Sequence, residues 1–271
     1  MASSKKSKKK PTKKSAKKSK KNKSVIKRII GWLGKIVLIL FLFSILLTVT
    51  YRWVNPPVTP LMLIRKITDK APIQKQWVDI EEISPHLIAS AIAAEDNHFL
   101  GHRGFDFGAI EKAIKERETG KRKRGASGIS QQTAKNVFLW ANQSWIRKGM
   151  ECYFTVLIEL FWSKERIMEV YLNVIEMGKG IYGCEMASQI YFHKKAKNLT
   201  LHQAALITAC YPNPRKWNPS KPTNYLNGRA SKIVHLTKLI GKISFDEENI
   251  QKARERYQKD EKKRKHKNKQ G

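Results

Sequence analysis

Cysteine is scarce: the 271 residues contain three, at positions 152, 184 and 210, with no CxxC pair and no Cys/His cluster at metal-ligand spacing. That excludes a disulfide-stapled miniprotein, and the plain reading of the three is small buried hydrophobes. Acids are scarce as well, 22 Asp and Glu against 54 Lys and Arg, for a formal net charge of +32. The excess is unevenly spread. Residues 1–28 hold 14 Lys/Arg and no acid, residues 251–271 hold ten against three, and +11 remains for the stretch between. The Lys/Ser run of residues 5–23 reads as solvated and disordered. The total charge therefore does not imply a nucleic-acid partner, and no basic groove interleaved with aromatics supports one. Internal repeats are missing too, which excludes a solenoid.

Long hydrophobic runs are equally rare, with one exception. Between Arg28 and Arg52 the only charge is Lys35, and residues 36–49 are almost unbroken Val, Ile, Leu and Phe. About 20 helical residues cross the ~30 Å hydrocarbon core. The run ends in Thr50, Tyr51, Arg52 and Trp53 without a small-residue cleavage pattern, so an uncleaved transmembrane helix over 29–51 is expected rather than a signal peptide. Trp32 at one end and Tyr51 with Trp53 at the other suit the interfacial aromatic belts. The preceding positive charges keep the N-terminus cytoplasmic and send the rest across the membrane.

Beyond the span the pattern is mainly helical. Residues 52–74, with Pro56, Pro57 and Pro60, read as a juxtamembrane linker. Residues 75–245 read as one catalytic domain and 246–271 as a basic C-terminal tail. Ser84-Pro85 is an N-cap followed by proline at the first helical position. Further helices are expected over 111–117, 130–139, 145–162, 164–174, 200–210 and 225–239.

Two carboxylates lie on faces where charge is unusual. Glu95 follows Ile88 by seven residues and Ile92 by three, which places it on the apolar stripe of its helix. Glu151 lies three and seven residues before Phe154 and Ile158, with Arg147 one turn earlier on the same side. Taken singly, each is as readily a structural acceptor or half of a structural ion pair. Together they are the minimum equipment for acid/base chemistry at a sugar carbon. Between them, residues 121–128 form a basic, glycine-containing loop that leads into a helix with Gln131, Gln132, Lys135 and Asn136. Backbone N–H groups at such a helix start, with the Ser127 hydroxyl and lysines nearby, suit a phosphate-type anion, although the Walker spacing is missing.

These segments resemble the monofunctional biosynthetic peptidoglycan transglycosylases of glycosyltransferase family 51 over residues 75–220. Glu95-Asp96-x-x-Phe99-x-x-His102-x-Gly104-x-Asp106 is similar to the family's first motif, and residues 125–136, from Gly125-Ala126-Ser127 to Lys135-Asn136, to its second. Arg147-Lys148-x-x-Glu151 matches the third. Arg166-Ile167-x-Glu169-x-Tyr171-Leu172-Asn173 with Gly178, Gly183 and Tyr191-Phe192 matches the fourth, and Ala204-Ala205-Leu206 with Pro212-Asn213-Pro214 resembles the last.

The resemblance implies a lysozyme-like helical catalytic domain with a membrane-proximal lobe, behind one transmembrane helix. It implies polymerisation of lipid II into glycan strands for bacterial cell wall synthesis. By that analogy Glu95 is the general base and Glu151 assists at the donor side. Lys135, Ser127, Arg147 and Lys148 would meet the pyrophosphate, while Phe99, Asp96, Gln131, Gln132 and Asn136 would shape or hold the substrate. A divalent cation, Mg or Mn, is compatible with Glu151. The implied partners are lipid II, the lipid-linked strand, membrane lipids and other wall-synthesis or division proteins, at the bacterial inner membrane with the domain on its outer side. Two departures stand out. Gly128 replaces the family's usual Thr, and Gln143 stands where the family commonly has Arg. A lysozyme-like lytic hydrolase is the alternative, and a weakly active or inactive homologue the third reading. Residues after 245 leave no room for a second enzymatic domain, and no Ser-x-x-Lys followed by Lys-Thr-Gly supports a transpeptidase.

Overall fold

The computed structural model describes the backbone of residues 13–120, 125–142 and 144–270, and the side chains among them from residue 27 to residue 266. The chain divides into two compact units, residues 1–47 and 48–271. The first is dominated by helix α1 (Lys13–Thr50), whose stretch Lys27–Thr50 is long and apolar enough to cross a membrane. Helix begins at Lys13, inside the run read above as disordered. Residues 1–12 of that tail lie outside the described residues.

The second unit contains ten further α-helices among the described residues: α2 (Pro60–Asp69), α3 (Pro85–Glu95), α4 (Phe107–Glu118), α5 (Ile129–Phe138), α6 (Trp145–Phe161), α7 (Lys164–Val174), α8 (Cys184–Phe192), α9 (Leu201–Ala209), α10 (Asn224–Ile240) and α11 (Glu247–Gln270). Most of their starts are written in the sequence. Thr59, Ser144, Ser163, Thr200 and Thr223 each accept a backbone N–H with the side chain of an N-cap. Ser84 caps α3, with Pro85 following.

α3 packs against α9 and α10, and α5 lies against α6 and α7. The first group is closed by Ala205, Leu206, Ala209 and Cys210 of α9 meeting Leu226, Ala230 and Ile233 of α10. Small residues on α9 allow the close approach. Ile129, Ile158, Ile167 and Leu172 fill the second group and are fully buried. Cys184 and Cys210 are buried and Cys152 is half-buried, all as free thiols.

A small sheet stands beside the helices, in the order β1 (Gln74–Lys75), β3 (Ile181–Tyr182), β2 (Glu176–Gly178). β1 runs parallel to β3, and β2 antiparallel with a bulge. Gly180 makes the β2–β3 turn at φ +77°, where a Cβ would also come within 2.6 Å of the Pro72 carbonyl.

The segments read as a juxtamembrane linker and a basic C-terminal tail contain helices. Residues 52–74 hold α2 and the start of β1, because Thr59-Pro60 begins a helix rather than merely breaking one. Residues 246–271 hold α11, whose Ala253, Arg254, Tyr257, Glu261 and Arg264 form one half-buried face. α7 secures the segment that precedes α3. Asn173 accepts from the Val78 N–H at 3.0 Å and donates to its carbonyl at 2.9 Å, and Glu169 accepts from the Ile80 N–H. Arg166 donates to the carbonyls of Tyr51 and Val54 and to the Asn55 side chain.

Candidate active site

The last turn of α3 delivers Glu95 half-buried at the edge of the helical core. Its Oε2 accepts from Gln132 Nε2 at 2.7 Å. The orientation of that amide is fixed from behind, since Gln132 Oε1 accepts from the fully buried Tyr171 hydroxyl at 3.3 Å. Burial holds the Tyr171 phenol well above its ordinary pKa, so it remains a donor. Glu95 Oε1 accepts no hydrogen bond among the described residues, which leaves one carboxylate oxygen positioned and open.

Asp96, next in the chain, faces inward. Its Oδ1 accepts from His102 Nε2 at 2.8 Å and its Oδ2 from the Ile129 N–H at 3.0 Å. The second bond caps α5. Gly128 occupies the N-cap position and has no side chain to offer, and a Cβ there would lie 2.2 Å from Asp96 Oδ2. Asp96 has taken over the task that Ser or Thr usually performs in place. Gln131 supplies the return half of the cap, accepting from the Gly128 N–H at 3.3 Å.

On α6, Glu151 is 3 % exposed and bound at both oxygens: Arg147 donates to Oε2 at 3.0 Å and Lys148 to Oε1 at 2.5 Å. Lys148 also reaches Ser127 Oγ at 3.0 Å, which ties the loop before α5 to this pair. Lys135 stands close enough to feel both carboxylates. Burial pushes its pKa below the ordinary lysine value, Glu151 and Glu95 push it back up, and Arg147 and Lys148 lower it further. Three cationic side chains thus surround one buried carboxylate, an excess of two positive charges before Glu95 is counted.

These groups border a cleft of ≈ 260 Å³. Gln132, Lys135, Asn136, Arg147, Arg65 and Glu176 are its polar lining, with Trp140, Tyr171 and Tyr211 as the aromatic residues. Leu61, Leu139, Ala141, Ile175 and Pro214 complete it. Neither Glu95 nor Glu151 is in the lining. Each sits one hydrogen bond behind it, through Gln132 and Arg147 respectively. Arg215 pairs with Asp69 at 2.8 Å, and Arg65 and Glu176, which line the cleft, complete a mesh of two cations and two carboxylates.

Of the residues expected here, Gln132, Lys135, Asn136 and Arg147 line the cleft, while Lys148 and Ser127 support it from the side. Three are placed elsewhere. Phe99 is fully buried under the Lys164 ammonium, 4.6 Å from its ring centroid, and forms core rather than cleft wall. Asp96 Oδ2 and Gln131 Oε1 cap α5, and neither residue lines the cleft. The basic loop 121–124 and Gln143 lie outside the described residues. Glu151 does not suit a metal: both oxygens already serve cationic side chains, and no group of three His, Cys, Asp or Glu gathers among the described residues.

Sequence reasoning missed Arg65, Trp140, Glu176 and Tyr211. It also missed Glu159, which accepts from Ser130 and from Lys164 at 2.7 Å and so joins α5, α6 and the start of α7. Tyr171 stands in the fourth motif quoted above but was given no role there.

The helical domain thus holds one open, oriented carboxylate and, beside it, a cleft rich in cationic side chains. The Transglycosylase family model matches residues 62–238, and the chain belongs to that family. It is similar to the "Biosynthetic peptidoglycan transglycosylase" of Bdellovibrio bacteriovorus, 53% identical over 209 residues, 75% of this chain and 84% of that one. The proteins of the same description from Bacteroides thetaiotaomicron and Shewanella oneidensis are 52% identical over 223 residues (80% of this chain, 90% of that one) and 46% over 227 (83% and 97%).

Proposed function

We propose that the protein is a peptidoglycan glycosyltransferase that polymerises lipid II into β-1,4 glycan strands with inversion, releasing undecaprenyl pyrophosphate. The observation that carries this reading is the set Lys135, Arg147 and Lys148 around Glu151 beside a cleft that Glu95 serves through Gln132. Glu95 Oε1 takes the proton from the 4-hydroxyl of the acceptor GlcNAc. The freed oxygen attacks the anomeric carbon of the donor MurNAc, and the bond to the pyrophosphate oxygen breaks with its electron pair. The three cations balance the charge that develops there, where preorganised electrostatics contribute most. Glu151 keeps Arg147 and Lys148 aimed. A divalent ion such as Mg or Mn would arrive on the pyrophosphate oxygens. A hydrolase acting on finished wall would have no anion to release and no use for this cluster.

The substrate's isoprenoid tail requires the enzyme to work at a bilayer. The span of residues 27–50 supports an inner-membrane location, with the N-terminus cytoplasmic by the positive-inside rule. Trp145, Ile146 and Leu160 on α6 are 92 %, 76 % and 70 % exposed, a suitable face for lipid. The test is incubation of purified protein with labelled lipid II: wild type should form polymer and Glu95→Gln almost none. Release of reducing sugar from intact wall with no consumption of lipid II would refute the reading.

A further inference from the structure

Helix α11 begins at Glu247, beyond residue 238 where the family match ends. It is nonetheless built against the loop that follows the catalytic carboxylate. Tyr257 donates to Asp106 Oδ1 at 3.3 Å, and its ring lies 5.5 Å from that of His98 and 6.0 Å, edge-on, from that of His102.

Gly101 makes room for the helix, and Gly108 lies under the end of one of its side chains. A Cβ on Gly101 would come 2.7 Å from Tyr257 Cβ and 2.9 Å from the Ala253 carbonyl, and one on Gly108 would come 2.2 Å from Arg264 Nη1. Gly101 does not have a left-handed backbone, so close approach of the α11 backbone is what this position requires, whereas the atom near Gly108 is the movable end of the Arg264 side chain. Arg264 adds an ion pair with Glu111 at 3.4 Å.

The contact leads to the active site in three steps. His102 is 2 % exposed, and its Nδ1 has no hydrogen-bond partner among the described residues, so its ring is held only by Asp96 and by packing. Asp96 is adjacent to Glu95 and caps α5, the helix that carries Gln132 and Lys135. We propose that α11 is a positioning strap: Tyr257 sets the His102 ring, His102 sets Asp96, and Asp96 fixes both Glu95 and the start of α5.

This inference rests on the polymerase reading and is tested in the full-length protein. Lipid II polymerisation by Tyr257→Ala, Tyr257→Phe and Gly101→Val should show kcat down about tenfold or more in the first and third, since small misplacements of reacting groups have effects of this size. KM should stay within about twofold, because Arg147 and Lys148 stand on α6, outside the elements the strap fixes. Tyr257→Phe, which keeps the ring and loses the hydroxyl, should keep most of the activity. Melting curves measure the folded fraction, and Tyr257→Leu replaces the alanine variant if that one does not fold. Unchanged kcat in Tyr257→Ala, a loss no greater than the lost folded fraction, a change in KM alone, or equal loss in Tyr257→Phe would each overturn the strap. Failure of the wild type to polymerise lipid II would instead overturn the function.

Discussion

Replacing Lys135 by methionine should move stability and activity in opposite directions. The protein's own groups do not fully compensate this ammonium: burial is the largest influence on it and lowers its pKa, despite Glu151 and Glu95. The folded domain therefore holds the charge at a cost at neutral pH. Methionine has nearly the same length and no charge. Glu151 keeps Arg147 at 3.0 Å and Lys148 at 2.5 Å, so the penalty of about 3–5 kcal/mol for orphaning a buried charge does not arise. The melting temperature should rise, each kcal/mol showing as about 2–4 °C in a domain of this size. The sign with pH follows. Unfolded lysine keeps its proton up to 10.5 while the folded one releases it earlier, so wild type gains stability as pH rises through that interval and the variant does not. The gap between them should narrow toward alkaline pH. Polymerisation should fall about 10²–10³-fold, the usual loss on removing one preorganised charge-stabilising group, or about 2.7–4 kcal/mol. Thermal melts and lipid II polymerisation in one detergent measure both. A melting temperature several degrees lower would make Lys135 a structural partner, and activity within about threefold of wild type would remove it from the reaction.

Glu95→Gln should cost about 10²–10⁴ in rate, the size of a general-base contribution, with little change in melting temperature because the residue is half-buried. Asp96→Ala should destabilise by about 2–4 kcal/mol, combining a lost cap with an unpaired buried histidine. Adding Gly128→Thr to that variant should return about 1 kcal/mol in chemical denaturation, since a threonine then caps α5 itself; no recovery would refute the shared cap. The His98–Asp106 pair, 2.8 Å apart, raises the His98 pKa through its hydrogen bond and leaves Asp106 at about 2 against its own burial. The histidine's contribution is complete below its unfolded pKa and disappears as pH rises through the raised folded value. The aspartate's is complete above 3.8 and disappears as pH falls toward about 2. His98→Ala should therefore lower the melting temperature most between those limits, the loss shrinking at alkaline pH to the part owed to the His98–Tyr257 ring contact.

Where local chemistry decides, the sequence was readable. Ser84-Pro85 marks the start of α3, α7 runs over the expected residues 164–174, and the apolar stripe of α3 ends at Glu95. What adjacent residues do with similar side chains was not readable: Gln131 and Gln132 are about 100° apart on one helix, and only the fold decides which caps and which faces the cleft. α11 escaped because its packed face uses Ala253, Tyr257 and the stems of Arg254 and Arg264, which carry no hydrophobic period. α2 escaped because Pro60 starts a helix as readily as it ends one. Arg65 and Glu176 reach the cleft from opposite sides of a long loop closure, a proximity that no spacing encodes.

The clasp made by α7 has a consequence for the order of events during synthesis. Residues 51–80 follow the span directly, yet their partners are made far later: Val78 waits 95 residues for Asn173, and Tyr51 waits 115 for Arg166. At about 5–20 residues per second, the first of those gaps lasts about 5–20 s. Throughout that time the amides around Val78 and Ile80 lie beyond the span without the side chains that will cap them. Chain arrest anywhere before Arg166 leaves this stretch with none of its α7 contacts, which makes it the natural place for a protease to recognise an unfinished enzyme.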